Sequence, residues 1–147
     1  MEEYFAHLAI ISSVITDDEM YERVPLEYNR KWNPKNPRLP RMPKPYEGEE
    51  FGISFSSTLA NTESIELHIA NLLARLEPHV EGIASLADRG CYVQFGCAVY
   101  MISAPPIYFS PDQIQQIGRM KAGLDLDLYI MREDPDPTPD SPDTPNL

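Results

Sequence analysis

The sequence predicts an α+β domain, in which an antiparallel or mixed sheet of about four to six strands carries one long and one shorter helix. Three observations predict it. Leu124-Asp125-Leu126-Asp127-Leu128-Tyr129-Ile130 alternates apolar and polar side chains, the period of a strand with one buried face. Ile65, Ile69, Leu72, Leu73 and Leu76 recur at i, i+4, i+7, i+8 and i+11, the apolar stripe of a helix. Strand-like runs recur at 4–15, 51–57 and 91–103.

Composition fits such a domain. At 147 residues, one domain with a tail is expected. A chain of this size buries roughly two-thirds of its unfolded surface. Apolar content of 42% and aromatic content of 10% are values of a folded protein. There is no apolar run of about 18 residues, so no membrane span is expected. Met1-Glu2-Glu3 is acidic where a secretory signal is basic, so a cytoplasmic protein is expected. Cys91 and Cys97 share one strand and would stand roughly 20 Å apart, too far to bridge, so both are expected as buried thiols.

Taken in order, Tyr4–Ile15 has apolar residues on both faces: Leu8, Ile10 and Val14 on one, Phe5, Ile11 and Ile15 on the other. That is the pattern of a central strand. Thr16-Asp17-Asp18-Glu19 begins a short helix that Pro25 stops. Residues 25–50 form a proline-rich basic insertion. Pro34, Pro37, Pro40 and Pro43 fall at every third residue, the period of polyproline II. The same period aligns Lys35, Arg38, Arg41 and Lys44 on a second edge and Asn36, Leu39 and Met42 on the third. The segment is either an irregular connection pinned across the domain by Trp32, Leu39 and Met42, or a stiff cationic contact surface for an acidic partner, or a proline-motif ligand.

Phe51, Ile53 and Phe55 give the second strand its core face. The long helix starts after Asn61 or Thr62 and ends or kinks at Pro78. A second helical piece runs to Gly90, which sits as its terminating residue. Cys91–Ser103 is a long strand with Cys91, Val93, Phe95, Cys97, Val99 and Met101 on one face, and Gly96 marks a bulge or bend. Ile107-Tyr108-Phe109 is a candidate short strand. Ser110-Pro111-Asp112-Gln113 spells a capping box with proline at the first helical position. Ile114 and Ile117 follow as its stripe, and Gly123 ends the helix. The leucines of 124–130 are expected to pack on Ile65, Ile69, Leu72, Ile114 and Ile117. The folded domain thus spans 1–133, and 134–147 is an acidic, proline-rich tail expected to be mobile.

Charge narrows the function classes. The formal net charge is −11. Residues 30–44 hold six of the twelve cationic side chains and none of the 23 acidic ones, so the rest carries six cations against 23 acids, a net −17. An acidic surface does not bind nucleic acid directly, and it attracts basic proteins. His7, His68 and His79 fall in no metal-ligand spacing, and no nucleophile-elbow, P-loop or dinucleotide fingerprint occurs. No catalytic residue, cofactor or metal site is therefore expected. Asp125 and Asp127 share a strand face about 7 Å apart. They form the wet side of an amphipathic strand, or an acid–base or cation-holding pair. With Tyr129, and with Tyr92 and Tyr100 if these share the face, they form an acid–tyrosine surface suited to protein contact.

The order of these motifs resembles the bacterial domain-of-unknown-function family 4279 over roughly residues 4–131. The matching pieces are the first strand followed by Asp17-Asp18-Glu19, Val24-Pro25 with basic residues and Trp32, and Phe51-Gly52-Ile53-Ser54-Phe55-Ser56. Leu72-Leu73-Ala74-Arg75-Leu76-Glu77-Pro78 and Gly123-Leu124-Asp125-Leu126-Asp127-Leu128-Tyr129 also match. The chain departs from the family where Phe51 opens the second strand in place of a frequent tryptophan. The resemblance implies a compact α+β fold in a bacterial cytoplasmic setting and supplies no catalytic residue.

The expected function is therefore non-enzymatic protein binding: an acidic immunity or inhibitor protein that neutralises a basic toxin or nuclease, using Asp125, Asp127 and Tyr129. The alternative is an accessory or scaffold subunit, or a homodimer, docking through Lys35, Arg38, Arg41 and Lys44. A hydrolase or metal enzyme built on Asp125 and Asp127 ranks third.

Overall fold

A computed structural model describes residues 2–38 and 48–132 of the chain. Its strands are β1 (Glu3–Ser12), β2 (Arg30–Trp32), β3 (Phe51–Ser56), β4 (Tyr92–Met101) and β5 (Gly123–Ile130). Its helices are α1 (Asp17–Arg23), α2 (Ile65–Leu76), α3 (Val80–Asp88) and α4 (Pro111–Arg119), with a 3₁₀ turn at Glu77–His79 between α2 and α3. The strands form one mixed sheet in the order β2-β3-β1-β4-β5. β1 pairs antiparallel with β3 and β4, and β3 pairs antiparallel with β2. β5 joins β4 in parallel, which requires the crossover that α4 supplies.

The core lies on one face of this sheet. Leu8 and Ile10 of β1, Ile53 and Phe55 of β3, and Phe95 and Val99 of β4 are fully buried against Ile65, Ile69, Leu72 and Leu76 of α2 and Ile83 and Leu86 of α3. Met20, Ile117 and Met120 close its margins. Side-chain caps start three of the helices. Thr16 Oγ1 accepts the Glu19 N–H at 3.1 Å, and Ser64 Oγ accepts the Leu67 N–H at 3.3 Å. At α4, Ser110 Oγ accepts from Gln113 N at 3.2 Å while Gln113 Oε1 accepts from Ser110 N at 3.0 Å, the capping box the sequence spells.

Six expectations change. Gly123 does not end α4 but opens β5; the helix stops at Arg119, with Met120 as its cap. Ser64, not Asn61 or Thr62, caps α2; Asn61 accepts the Tyr4 N–H through its carbonyl and ties the loop to β1. β1 stops at Ser12, whose Oγ accepts the N–H groups of Val14 and Ile15; this turn leaves Val14 exposed and drives Ile15 into the core. Gly96 marks no bulge, since the β1–β4 register runs unbroken through His7↔Gly96. Residues 107–109 form no strand; Ile107 and Phe109 pack on the core while Tyr108 N–H donates to Glu66.

The largest change concerns β5. Its leucines do point to the helix side, opposite Phe95, Cys97 and Val99, yet they are not buried there. Leu124, Leu126, Leu128 and Ile130 are 38, 36, 51 and 73% exposed. β5 is an edge strand, and α2 packs over β1 instead. α4 contributes one buried side chain, Ile117, and leaves Ile114 exposed.

On the other face a second, small cluster joins Ala9, Ile11 and Trp32. The Trp32 indole lies flat on Gly52, where a Cβ would overlap its ring. Its Nε1–H donates to Glu50 at 2.7 Å, and Arg38 pairs with the same carboxylate while standing over the ring. A Gly52→Ala substitution is therefore expected to expel the indole and destabilise the domain by about 1–3 kcal/mol, the usual cost of overpacking. Trp32 is the sole tryptophan, so urea unfolding followed by its emission reports both effects. An unshifted emission maximum with an unchanged midpoint would contradict this packing.

Candidate functional site

Strand parity assembles the site. On the face away from the helices, β1 presents Phe5 and His7, β4 presents Gln94, Gly96, Ala98 and Tyr100, and β5 presents Asp125, Asp127 and Tyr129. The register places Ser56, His7, Gly96 and Asp125 in one row across four strands. The next row holds Phe5, Ala98 and Asp127, and the one after it Glu3, Tyr100 and Tyr129.

Small residues let the larger ones lie down. A Cβ on Gly96 would come within 2.7 Å of His7 Cε1, so glycine is what allows the imidazole to rest on β4. Tyr100 stacks on Tyr129 with centroids 4.8 Å apart and meets the edge of Phe5 at 6.1 Å. The result is an aromatic ridge beside two carboxylates, with Tyr129 and Phe5 each close to half exposed. Asp127 is exposed and Asp125 partly so.

A shallow cleft of ≈310 Å³ adjoins this face where β1 and β3 meet the start of α2, lined by Phe5, His7, Ser57, Leu59, Asn61 and His68 among others. His68 is buried; its Nδ1 lies 2.7 Å from Ser57 Oγ, and its Nε2 has no hydrogen-bond partner among the described residues. Burial pushes the pKa of both rings down. For His7 the Asp127 charge opposes that shift; for His68 the Ala60 and Glu63 carbonyls and the Glu63 charge do.

The cysteines lie behind the sheet and take no part. Burial, reinforced by the Asp125 and Asp127 charges, pushes the Cys97 thiol up to about 12. Burial also raises Cys91. Both stay protonated and unreactive at neutral pH, and both are free.

The structure does not join the two groups of charged residues that the sequence singles out. Asp125, Asp127 and Tyr129 stand on the β5 edge, whereas Lys35 and Arg38 lie beyond β2 at the opposite edge of the sheet. Lys35 is exposed at the tip of a turn, in which Asn33 Oδ1 accepts the N–H groups of Lys35 and Asn36 at 3.0 Å each. That turn interrupts the polyproline period where it begins. Arg38 is held by Glu50, with a second contact from Nη2 to Oε1 at 3.1 Å. Arg41, Lys44, Leu39 and Met42 lie outside the described residues, as does the acidic tail.

His7, its glycine seat and the Phe5 edge contact escape sequence reasoning. Alternation shows which residues of one strand share a face. It does not show which face of the next strand continues it, and that is a matter of register.

These features define a class: a one-sided α+β domain with a five-stranded mixed sheet, an acid–aromatic face and a parallel edge strand that nothing among the described residues covers. The chain belongs to the family described as a domain of unknown function (DUF4279), whose model matches residues 2–131. No curated protein and no solved structure matches it. Among the described residues, no helix is long and apolar enough to cross a membrane.

The two histidines set a pH dependence. Folded, both rings resist protonation, so below about pH 6.5 the unfolded chain binds more protons and stability is lost as the pH falls. Above that range both states are neutral and the stabilising difference is fully present. The wild-type urea midpoint should fall between pH 7.5 and about 5, and the fall should be smaller in a His7→Gln, His68→Gln double variant. An equally steep acid limb in that variant would show that other groups govern it.

Proposed function

We propose that this domain is a non-enzymatic protein-binding module whose acidic, tyrosine-bearing β5 end captures a basic partner. In its finer form it is an immunity or inhibitor protein that neutralises a basic toxin or nuclease. One observation carries the reading: Asp125, Asp127 and Tyr129 stand side by side on a strand that is at the sheet edge among the described residues, backed by the stacked Tyr100. Aromatic anchors with flanking charge are the composition of recognition surfaces, and complementary charge accelerates capture.

Acid–base or metal chemistry at the same pair has less support. The carboxylates face water on an open sheet rather than a desolvated cleft, where catalytic pKa values are tuned. Among the described residues, no group of three or more His, Cys, Asp and Glu side chains is placed to hold a metal ion. The excess of acid over base in the chain, −11 overall, matches a basic partner in sign.

The test is co-expression with the products of adjacent genes, followed by titration of any complex at low and high salt. The expected result is a stable complex that salt weakens and that Asp125→Lys with Asp127→Lys weakens by roughly tenfold or more, about 1.4 kcal/mol. Absence of any neighbour complex, or an affinity indifferent to charge reversal, would remove the reading.

A further inference from the structure

We propose that the β5 edge is a strand-addition site, on which an extended segment of the partner, alternating apolar and basic side chains, lies as a sixth strand. The proposal rests on the protein-binding reading above and names its mode and chemistry.

The backbone geometry comes first. Met131 N–H donates to Met101 O at 2.7 Å, and Ile130 sits opposite Met101 in the parallel register. Within a strand, a residue's N–H and C=O point to the same side, and successive residues alternate sides. Residues 125, 127 and 129 therefore turn their backbone groups toward β4. Those of Leu124, Leu126, Leu128 and Ile130 point outward, and among the described residues β5 has no second neighbour in the sheet order. This is a row of donors and acceptors ready to pair with another chain.

The side chains then define what fits. On the helix side, the exposed Leu124, Leu126, Leu128 and Ile130 form an apolar stripe continuous with the buried Phe95, Cys97, Val99 and Met101. An added strand with apolar residues on that side extends the core by one strand. On the open side, its neighbours are Asp125, Asp127 and Tyr129, and lysine or arginine there meets opposite charge across the pair. Natural edges are commonly protected by proline, lysine or a bulge. β5 contains neither proline nor lysine, and its register with β4 is unbroken.

A second copy of the chain fits this edge poorly. Directly opposed residues of antiparallel strands share a face. Two-fold pairing about the middle of β5 would set Asp127 against itself, or Asp125 against Asp127, and like charges directly opposite destabilise a pair. Each copy also carries a net −11. Charge thus selects a basic strand over an identical one.

The experiment uses the full chain and a short synthetic peptide alternating valine and lysine. Its controls are a valine–glutamate peptide and a valine–lysine peptide N-methylated at every second residue to remove the edge donors. Binding is followed by fluorescence anisotropy at low salt, and backbone amides by hydrogen exchange. Three results are expected together: the valine–lysine peptide binds, N-methylation weakens it by about tenfold or more, and the amides of Leu124, Leu126, Leu128 and Ile130 gain protection. Binding that N-methylation leaves unchanged would overturn strand addition while leaving the acidic surface as a protein-binding face. No binding of the valine–lysine peptide, or equal binding of the valine–glutamate one, would also overturn it, and the adjacent-gene complex would still decide the broader reading. Protection of the same amides in a concentration-dependent oligomer without peptide would replace the partner strand with a second copy.

Discussion

Burial of a single sheet face is the constraint on which the rest of this structure depends. The four helices of the described residues feed one cluster, through Met20, the stripe of α2, Ile83, Leu86 and Ile117, and all of it presses on Leu8, Ile10, Phe55, Phe95 and Val99. β1 lies in the middle of the sheet and is paired on both sides. Among the described residues no helix covers the opposite face, so its residues are tolerable in water, or small, or sealed by something other than a helix. Ser54, Ser56, Gly52, Gly96 and Ala98 meet the first two conditions. Trp32, laid on Gly52 and closing over Ile11 and Ala9, meets the third. The sheet is therefore sealed on both faces at its β2 end and progressively opened toward β5.

Topology also sorts the charge. The strand order puts Arg30 and Lys31 of β2, with Lys35 and Arg38 after it, at one edge and the acidic strand at the other. Two of the four described cations there are matched locally: Lys31 Nζ is 2.6 Å from Asp18 and lies over both Tyr21 and Tyr28, and Arg38 is paired with Glu50. The Arg38–Glu50 pair is largely out of water, at 13 and 9% side-chain exposure. Desolvation offsets much of the attraction in such a pair, so its contribution is best seen as positional: the Glu50 carboxylate orients the indole by accepting its N–H. The β2 side thus carries two paired and two exposed cations, and the β5 side two exposed or half-exposed carboxylates.

What was legible in the sequence was whatever a single element determines by itself. The stripe of α2, the capping box at Ser110 and Gln113 and the apolar face of β4 all follow from local period and local hydrogen bonds. What was not legible depends on a neighbour. The alternation of 124–130 shows that its leucines share a face but not that anything covers it, and α4 is too short and polar to do so. His7 looks like an ordinary strand histidine until the register sets it on Gly96. The three-residue proline period cannot reveal that Asn33, one residue before it, folds the chain into a turn around Pro34 and Lys35.

The domain is least secured at its β5 end. β5 has one ladder, in parallel, and few side chains within the core, whereas β1 has two ladders and a helix across it. Local opening follows such differences, since segments with few buried apolar contacts open at the lowest cost. Apolar area stabilises by about 25 cal/mol per Å² only once it leaves water. The leucine stripe of β5, still 36–73% exposed, has therefore contributed only part of its burial energy to folding. The remainder becomes available when something covers it. In an acidic chain whose edge carboxylates oppose self-pairing, that unspent burial would couple the stability of β5 to the proposed strand addition. A partner that completes the edge would stabilise the strand it binds, and with it the parallel end of the sheet.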